Sequence, residues 1–345
     1  VYYVRLAPVY PETNRMRTLV VKSAKMTNDE STHSSNISYA MLKDWFYSLE
    51  SAEVSTGVSG TSYARVTNDK EEIPTYARYT DENFFRVFPL VFLEGKPFTE
   101  ADRRSGIHNV VLTDSYAQQL FGTTKGVVGK NFLMDYTNVK VVGVVKSGSF
   151  LTPDSYAQVY LPYSCRDGYD DEGSHWALGG YRVYILMKES KSVTDVQDEV
   201  LELVRKFNVS DMGDGWKLDL VGQPELYWHS TFRLWSNVAV DWGRVIWMFV
   251  GIFMVLLFVP AFNLSGMISA RMERQLPDLG IRKAFGASRR RLLVQIIWEN
   301  LLLTGLGTLL GLVIAWIVLA LSGYEIFSLF EVFPKFPPKG VNLGM

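Results

Sequence analysis

Two long apolar runs without a single charge enclose a short basic segment in the last third of the chain. The first is Val245–Ile268, 24 residues, and the second is Leu301–Leu321. As a helix the first run reaches about 36 Å, enough to cross roughly 30 Å of hydrocarbon. Between the runs lie Arg271, Arg274, Arg282, Lys283, Arg289, Arg290 and Arg291, offset in part by Glu273, Asp278 and Glu299. Charges beyond the second run cancel: Glu325 and Glu331 against Lys335 and Lys339. The excess of positive charge predicts that the segment between the runs faces the cytoplasm. The large N-terminal portion and the C-terminal tail then lie on the opposite side.

Pro260 sits inside the first run, with Asn263 after it. A proline frees a backbone carbonyl and kinks a helix. The position reads either as a hinge between span and basic segment or as a kink packed on a neighbouring helix. Gly307 and Gly311 form a small-xxx-small pair on one helical face, which permits close approach of another helix.

The 345 residues are 48% hydrophobic, with the excess concentrated after Val245, so residues 1–235 have ordinary globular composition. Net charge is −1, which gives no electrostatic argument for nucleic acid as a partner. Cys165 is the one cysteine, so no disulfide forms within the chain. With four scattered histidines (His33, His108, His175, His229) it makes no zinc-ligand pattern, and no cofactor site is expected. Val1–Leu6 is too short for a signal sequence, yet a domain of over 200 residues must be exported. The reading therefore expects a preceding span outside this sequence, and a fragment at both ends.

Residues 1–235 alternate strand and helix signals. Thr18–Lys22, Thr75–Tyr79, Asn109–Leu112, Gln158–Leu161, Arg182–Met187 and Trp216–Val221 read as strands. Ser38 caps a helix whose apolar residues run from Tyr39 to Leu49 at three- and four-residue spacing. Asp81–Phe88 reads as a short helix, and Thr99 with Asp102 as a capping box. Thr113/Asp114 cap a helix ending at Gly122. Phe132–Met134 and Val139–Val145 form a hairpin through Asp135–Asn138, and Val193–Phe207 is an amphipathic helix. This mixed order predicts an α+β extracytoplasmic domain followed by α-helical transmembrane segments. Phe84, Phe85, Phe88, Phe92 and Phe98 are read as core, with a ligand groove as the alternative.

No catalytic constellation stands out. Asp167, Asp170, Asp171 and Glu172 lack the ligand spacing of a calcium loop and read as a solvated loop. Thr124–Asn131 lacks the first glycine and the Ser/Thr after lysine that a phosphate-binding loop needs. The chain is accordingly expected not to be an enzyme, with ATP hydrolysis left to a partner.

Two regions resemble the MacB/FtsX-type permease subunits of ABC transporters. In the exported portion the resemblance rests on Asp81–Phe88 (DENFFRVF), Leu93–Thr99 (LEGKPFT), Val110–Gly122 (VVLTDSYAQQLFG), Val128-Gly129-Lys130 and Val141–Val145, in that order. In the membrane portion it rests on Glu273-Arg274 and Asp278–Ser288 (DLGIRKAFGAS). The family usually has Glu-Ile-Gly where this chain has Asp278-Leu279-Gly280; Asp keeps the charge. Pro277 is a departure, and it suits the first turn of a helix, so a helix start is expected there.

The resemblance implies a four-span subunit of which this sequence holds spans two and three. It divides the chain into a MacB-like periplasmic domain (1–235), a transmembrane helix (236–268), a cytoplasmic coupling segment (269–299), a second transmembrane helix (300–321) and an extracytoplasmic tail (322–345). It also implies a bacterial inner-membrane location and partners: a cytoplasmic ABC ATPase, a second permease (identical or different), and a periplasmic adaptor or substrate protein. ATPase dimerisation would pass through the loop after span two to the paired periplasmic domains, driving efflux or extraction of a substrate. The coupling residues so implied are Glu273, Arg274, Asp278, Gly280, Ile281, Arg282, Lys283, Phe285, Gly286, Ala287 and Ser288. Physically, Arg282 and Lys283 can pair with an acidic surface, while Ile281, Phe285, Leu292, Leu293 and Ile296 offer apolar anchors. Arg289–Arg291 suit either docking or lipid headgroups. The alternative function is an FtsX-like signalling scaffold that regulates a periplasmic partner such as a cell-wall hydrolase; a membrane-bound enzyme is the weakest reading.

Overall fold

The computed structural model describes residues 17–328, apart from 61, 69–70, 149–153, 167, 171–175, 211–214 and 287. The described residues fall into two compact units, with the boundary in the chain between Val240 and Asp241.

The first unit is a mixed α/β domain. In chain order its strands are β1 (Thr18–Val21), β2 (Ala24–Thr27), β3 (Thr32–Ile37), β4 (Ala52–Ser59), β5 (Ser62–Asn68), β6 (Glu71–Thr80), β7 (Phe92–Gly95) and β8 (Asn109–Thr113). They continue with β9 (Asn131–Met134), β10 (Thr137–Val145), β11 (Val159–Pro162), β12 (Leu178–Gly179), β13 (Tyr181–Met187), β14 (Lys217–Asp219) and β15 (Glu225–Leu226). One sheet runs β14-β2-β3-β13-β1-β15, with β4 on β13 and β12 on β3. The other runs β7-β10-β8-β11-β6-β5-β9, and β9 also pairs β10, so its path closes on itself. The first half of β10 takes β9 and the second half takes β7 at the same edge. Pairs β8–β10 and β6–β11 are parallel. Strand β8 lies between β10 and β11, which explains why its Val110, Val111 and Leu112 form an unbroken, fully buried apolar run.

Among the described residues, five helices decorate the sheets: α1 (Tyr39–Asp44), α2 (Phe84–Val87), α3 (Glu100–Arg104), α4 (Asp114–Phe121) and α5 (Val193–Val209). Ser38 caps α1 by accepting from the Met41 amide at 3.0 Å. The helix stops at Asp44 and a 3-10 turn, Phe46–Ser48, follows, so the expected single helix to Leu49 is broken. The Ser48 hydroxyl donates to the Asp44 and Trp45 carbonyls, satisfying the helix end where aromatic residues favour helix less. Thr99 and Asp102 form the expected capping box: each side chain accepts from the other's amide, at 3.2 and 2.7 Å. Helix α4 ends on Gly122 at φ 70°, and α5 buries Val196, Val200, Val204 and Phe207 on one stripe. The β9–β10 turn is tighter than expected. Asp135 and Tyr136 are both left-handed (φ 46° and 64°), and Thr137 already pairs with Met134.

Phe84, Phe85, Phe88 and Phe98 are buried, and Phe92 packs against them half-buried. They share a core with Val20, Val58 and Tyr184 of the other sheet, so the phenylalanines join the two sheets. Two carboxylates reinforce this seam. Asp81, just after β6, accepts from the Thr56 hydroxyl (2.6 Å) and Gly57 amide (2.9 Å) of β4, the Tyr47 hydroxyl (2.5 Å) and the Phe84 amide (3.1 Å). Asp154 lies 3.0 Å from the Arg182 guanidinium of β13 and 3.5 Å from the Lys22 ammonium. Burial opposes its charge, but Lys22, Arg182 and Arg78 together hold its carboxyl below the ordinary value.

Candidate coupling segment and its flanking spans

The second unit consists of two long helices, α6 (Trp242–Ala284) and α7 (Arg289–Ser328). Asp241 starts α6 by accepting from the Arg244 amide at 3.0 Å. Within α6, Trp242–Phe262 has mean hydropathy 2.6; within α7, Leu293–Val318 has 2.3. Both segments are long and apolar enough to cross a membrane. Most side chains described in them are exposed, with Val245, Ile296, Glu299 and Asn300 half-buried, as in helices hydrophobic on nearly every face when lipid is their solvent.

Helix α6 does not end with its apolar segment. It runs on from residue 263 to Ala284, a further stretch of about 33 Å, through the basic region. Pro260 and Pro277 both lie inside it. This corrects the expected helix start at Pro277. Ser269–Leu276 reaches the proline as a propagating helix rich in Ala, Met, Glu, Arg, Gln and Leu. Losing one amide donor there costs less than ending one helix and nucleating another.

The turn between the helices is short. The Phe285 amide donates to the Ile281 carbonyl (3.1 Å), and the Gly286 amide to the Lys283 carbonyl (3.0 Å). Gly286 has φ 89°, a left-handed conformation that ends the helix and strains any residue with a Cβ. The Arg291 amide donates to the Ser288 carbonyl as α7 begins. An open cleft of about 440 Å³ is lined by Gly286, Ser288, Arg290, Arg291 and Val294.

Of the expected coupling residues, Gly280, Ile281, Lys283, Phe285, Gly286 and Ser288 come together at this helix end and turn. Ile281 and Phe285 are one helical turn apart; both are exposed, Phe285 by 89%. For Glu273, Arg274, Asp278 and Arg282 the described structure is the α6 backbone; their side chains and Ala287 lie outside the described residues. Sequence reasoning missed Val294 and the sharing of one cleft by Ser288 with Arg290 and Arg291. The signal was present: a basic pair two and three residues after a serine that precedes a helix returns to that helix's first turn.

Among the described residues, the α/β domain offers no comparable site. Asp167, Asp171 and Glu172 of the acidic cluster lie outside the described residues. Among the described residues, no group of three or more His, Cys, Asp or Glu side chains is gathered as a metal would require. Burial pushes the Cys165 thiol up to about 12, which keeps it protonated at neutral pH. Burial likewise raises the Asp81 carboxyl to about 6, against its hydrogen bonds from Thr56, Tyr47 and Gly57. Asp81 is fully buried with both oxygens occupied, so it serves structure rather than chemistry.

A mixed α/β domain followed by two membrane-length helices, joined through a basic turn, defines a permease-type membrane subunit with a periplasmic-type domain. The chain belongs to the family of ABC transporter permeases that combine a MacB-like periplasmic core domain, matched over residues 9–203, with an FtsX-like permease C-terminal region, matched over residues 237–342. The macrolide export ATP-binding/permease protein MacB of Escherichia coli (strain K12) is 22% identical over 268 residues, covering 76% of this chain and 39% of that protein. The pyoverdine export ATP-binding/permease protein PvdT of Pseudomonas entomophila is 25% identical over 237 residues, covering 67% and 34%. The chain thus spans between a third and two fifths of the length of the curated relatives it matches. Among solved structures, the periplasmic region of MacB from Actinobacillus actinomycetemcomitans superposes with a TM-score of 0.42 at 16% identity, over 61% of this chain and 92% of that one. The extracellular domain of the noncanonic ABC-type transporter YknZ from Gram-positive bacteria gives 0.40 at 16%, over 57% and 99%.

Proposed function

We propose that the chain is the permease subunit of an ABC transporter that carries ATP-driven motion from a cytoplasmic ATPase to the periplasmic domain, for efflux or extraction of a substrate. The observation that carries this reading is the continuity of α6. One helix runs from Trp242, two residues beyond the last residue of the domain in the chain, through the apolar segment to the turn at Phe285–Ser288. A displacement of the turn is carried along the backbone hydrogen bonds of this one helix, with Pro260 and Pro277 as the points where it bends. In this reading residues 236–268 and 300–321 cross the inner membrane, 269–299 face the cytoplasm, and 1–235 and 322–345 face the periplasm. The exposed Ile281 and Phe285 supply apolar anchors for the ATPase, and Lys283 with Arg282 supplies charge for an acidic surface. The permease works in pairs with an identical or different partner, and a periplasmic adaptor or substrate protein meets the α/β domain.

The test is co-purification of the membrane-inserted chain with candidate ATPase subunits, before and after Arg282→Glu with Lys283→Glu. The reading expects an ATPase to co-purify with the parent protein and to be lost from the variant. Unchanged association, or no association at all, overturns the coupling role and moves the signalling-scaffold function ahead.

A further inference from the structure

The chain between the α/β domain and α6 is built unlike an ordinary linker. Residues 234–240 (LWSNVAV) carry no charge. Several of their polar groups are held by hydrogen bonds to the domain. The Arg233 guanidinium is buried against Glu225 and donates to the Val238 carbonyl (2.7 Å) and the Val221 carbonyl (2.9 Å). The Ser23 hydroxyl donates to the Ser236 carbonyl, the Asn237 amide side chain to the Ser34 hydroxyl (3.1 Å), and the Val238 amide to the Trp235 carbonyl (3.2 Å). The segment is therefore a turn fastened to the domain at three points, Ser236, Asn237 and Val238. Yet its two largest side chains face out: Leu234 is 70% exposed and Trp235 68%.

A fastened loop that holds two adjacent large apolar side chains in solvent presents an apolar knob to any surface that meets it. Trp235 stands seven residues before Trp242, where the apolar segment of α6 starts, so at most about 25 Å of chain separates them. An indole combines an apolar body with one N–H donor and concentrates at the headgroup layer of bilayers. The absence of charge on residues 234–240 suits a lipid interface, and no complementary patch on another protein is then needed.

We infer that the Leu234–Trp235 turn is a membrane-docking element, with both side chains seated in the headgroup layer of the lipid surface next to the α/β domain. The inference rests on the reading that α6 crosses the membrane. The turn then fixes the height of the domain over the bilayer, and Arg233 is the residue that positions it.

The test uses the full chain in phosphatidylcholine/phosphatidylglycerol vesicles, with Cys165→Ser to remove the native thiol. Nitroxide labels are placed in turn through Trp235→Cys, Leu234→Cys, Tyr136→Cys and Trp247→Cys. Tyr136, at the tip of the β9–β10 turn and 82% exposed, is the aqueous reference; Trp247, inside the apolar segment of α6, is the lipid reference. Collision with oxygen relative to a water-soluble nickel chelate is read at each site. At positions 234 and 235 the ratio is expected to be several-fold above that at 136 and below that at 247. A ratio equal to that at 136, with 247 reading as lipid, overturns the inference and leaves the span reading standing. Protection from both reagents at 234 and 235 also overturns it, because a protein then covers the turn. An aqueous signal at 247 overturns the span reading itself and the inference with it.

Discussion

The Thr56 hydroxyl donates to Asp81 at 2.6 Å, and through this bond the strand order of one sheet is fastened to the other: Thr56 lies in β4, Asp81 at the end of β6. The carboxylate is fully buried, and the groups that face it are the Tyr47 hydroxyl, the Gly57 and Phe84 amides and, from the next residue, the Glu82 carboxylate. Donors satisfy it, while burial works against its charge.

Stability should therefore respond to pH in an unusual direction. The folded Asp81 carboxyl lies at about 6, against an ordinary value of 3.8. Because the folded value is the higher, the folded state binds the proton more tightly. The contribution is fully present below pH 4 and is lost as pH rises through 6, at most on the order of 3 kcal/mol. Denaturation of the full-length protein at pH 5 and 7.5 checks this: Thr56→Val should cost about 1.5–3 kcal/mol at pH 7.5, where the charged form needs its donor, and less at pH 5.

Gly143 stands opposite Gly95 where β10 meets β7. A Cβ on Gly143 would come 2.7 Å from the Lys96 carbonyl oxygen and 2.9 Å from the Phe92 ring. Gly143→Ala is expected to destabilise the domain by about 1–3 kcal/mol by forcing β7 away. Gly106→Ala is the comparison: its left-handed backbone adds strain, but an added Cβ meets nothing within 4 Å. A melting-temperature loss no larger at Gly143 than at Gly106 would contradict the packing account.

The Glu225–Arg233 pair is nearly inaccessible, at 8% and 3%. Removing one partner leaves a buried charge alone. Arg233→Met should cost about 3–5 kcal/mol, and Glu225→Gln combined with it should recover part of that loss. A double-mutant cycle measured by denaturation gives the coupling; additive effects would mean that the pair is not a unit.

Gly286 ends α6 at φ 89°. Gly286→Val should cost about 1–2 kcal/mol in the turn and redirect the start of α7. Insertion into membranes should persist, since both apolar segments are unchanged, while ATPase stimulation by the permease falls. Equal stimulation by parent and variant would show that the turn geometry is not read by the partner.

Much of this arrangement was legible in the sequence where a local signal has one physical meaning. Uncharged runs of membrane length, the Ser38 and Thr99/Asp102 caps and the Gly122 helix end each involve residues within a few positions of one another. Strand β3 was not legible, because Thr32–Ser35 are polar and exposed and its place is fixed by β2 and β12 pairing on its flanks. Strands β4 and β5 were missed for the same reason: their partners β13 and β6 set them, and Ser55, Thr56, Gly57 and Thr67 dilute their apolar pattern. The basic segment between the apolar runs was expected to start a helix at Pro277, but α6 runs through the proline because propagation from upstream outweighs it.

The most direct test of the central claim is hydrogen exchange in residues 17–240 of the full permease, reconstituted with its ATPase, with and without ATP. The account predicts that ATP changes exchange in this domain in the parent protein, and that Arg282→Glu with Lys283→Glu abolishes the change while leaving ATP-free exchange as it was. An ATP response of the domain that survives in the variant would contradict the claim that the turn after α6 carries the motion.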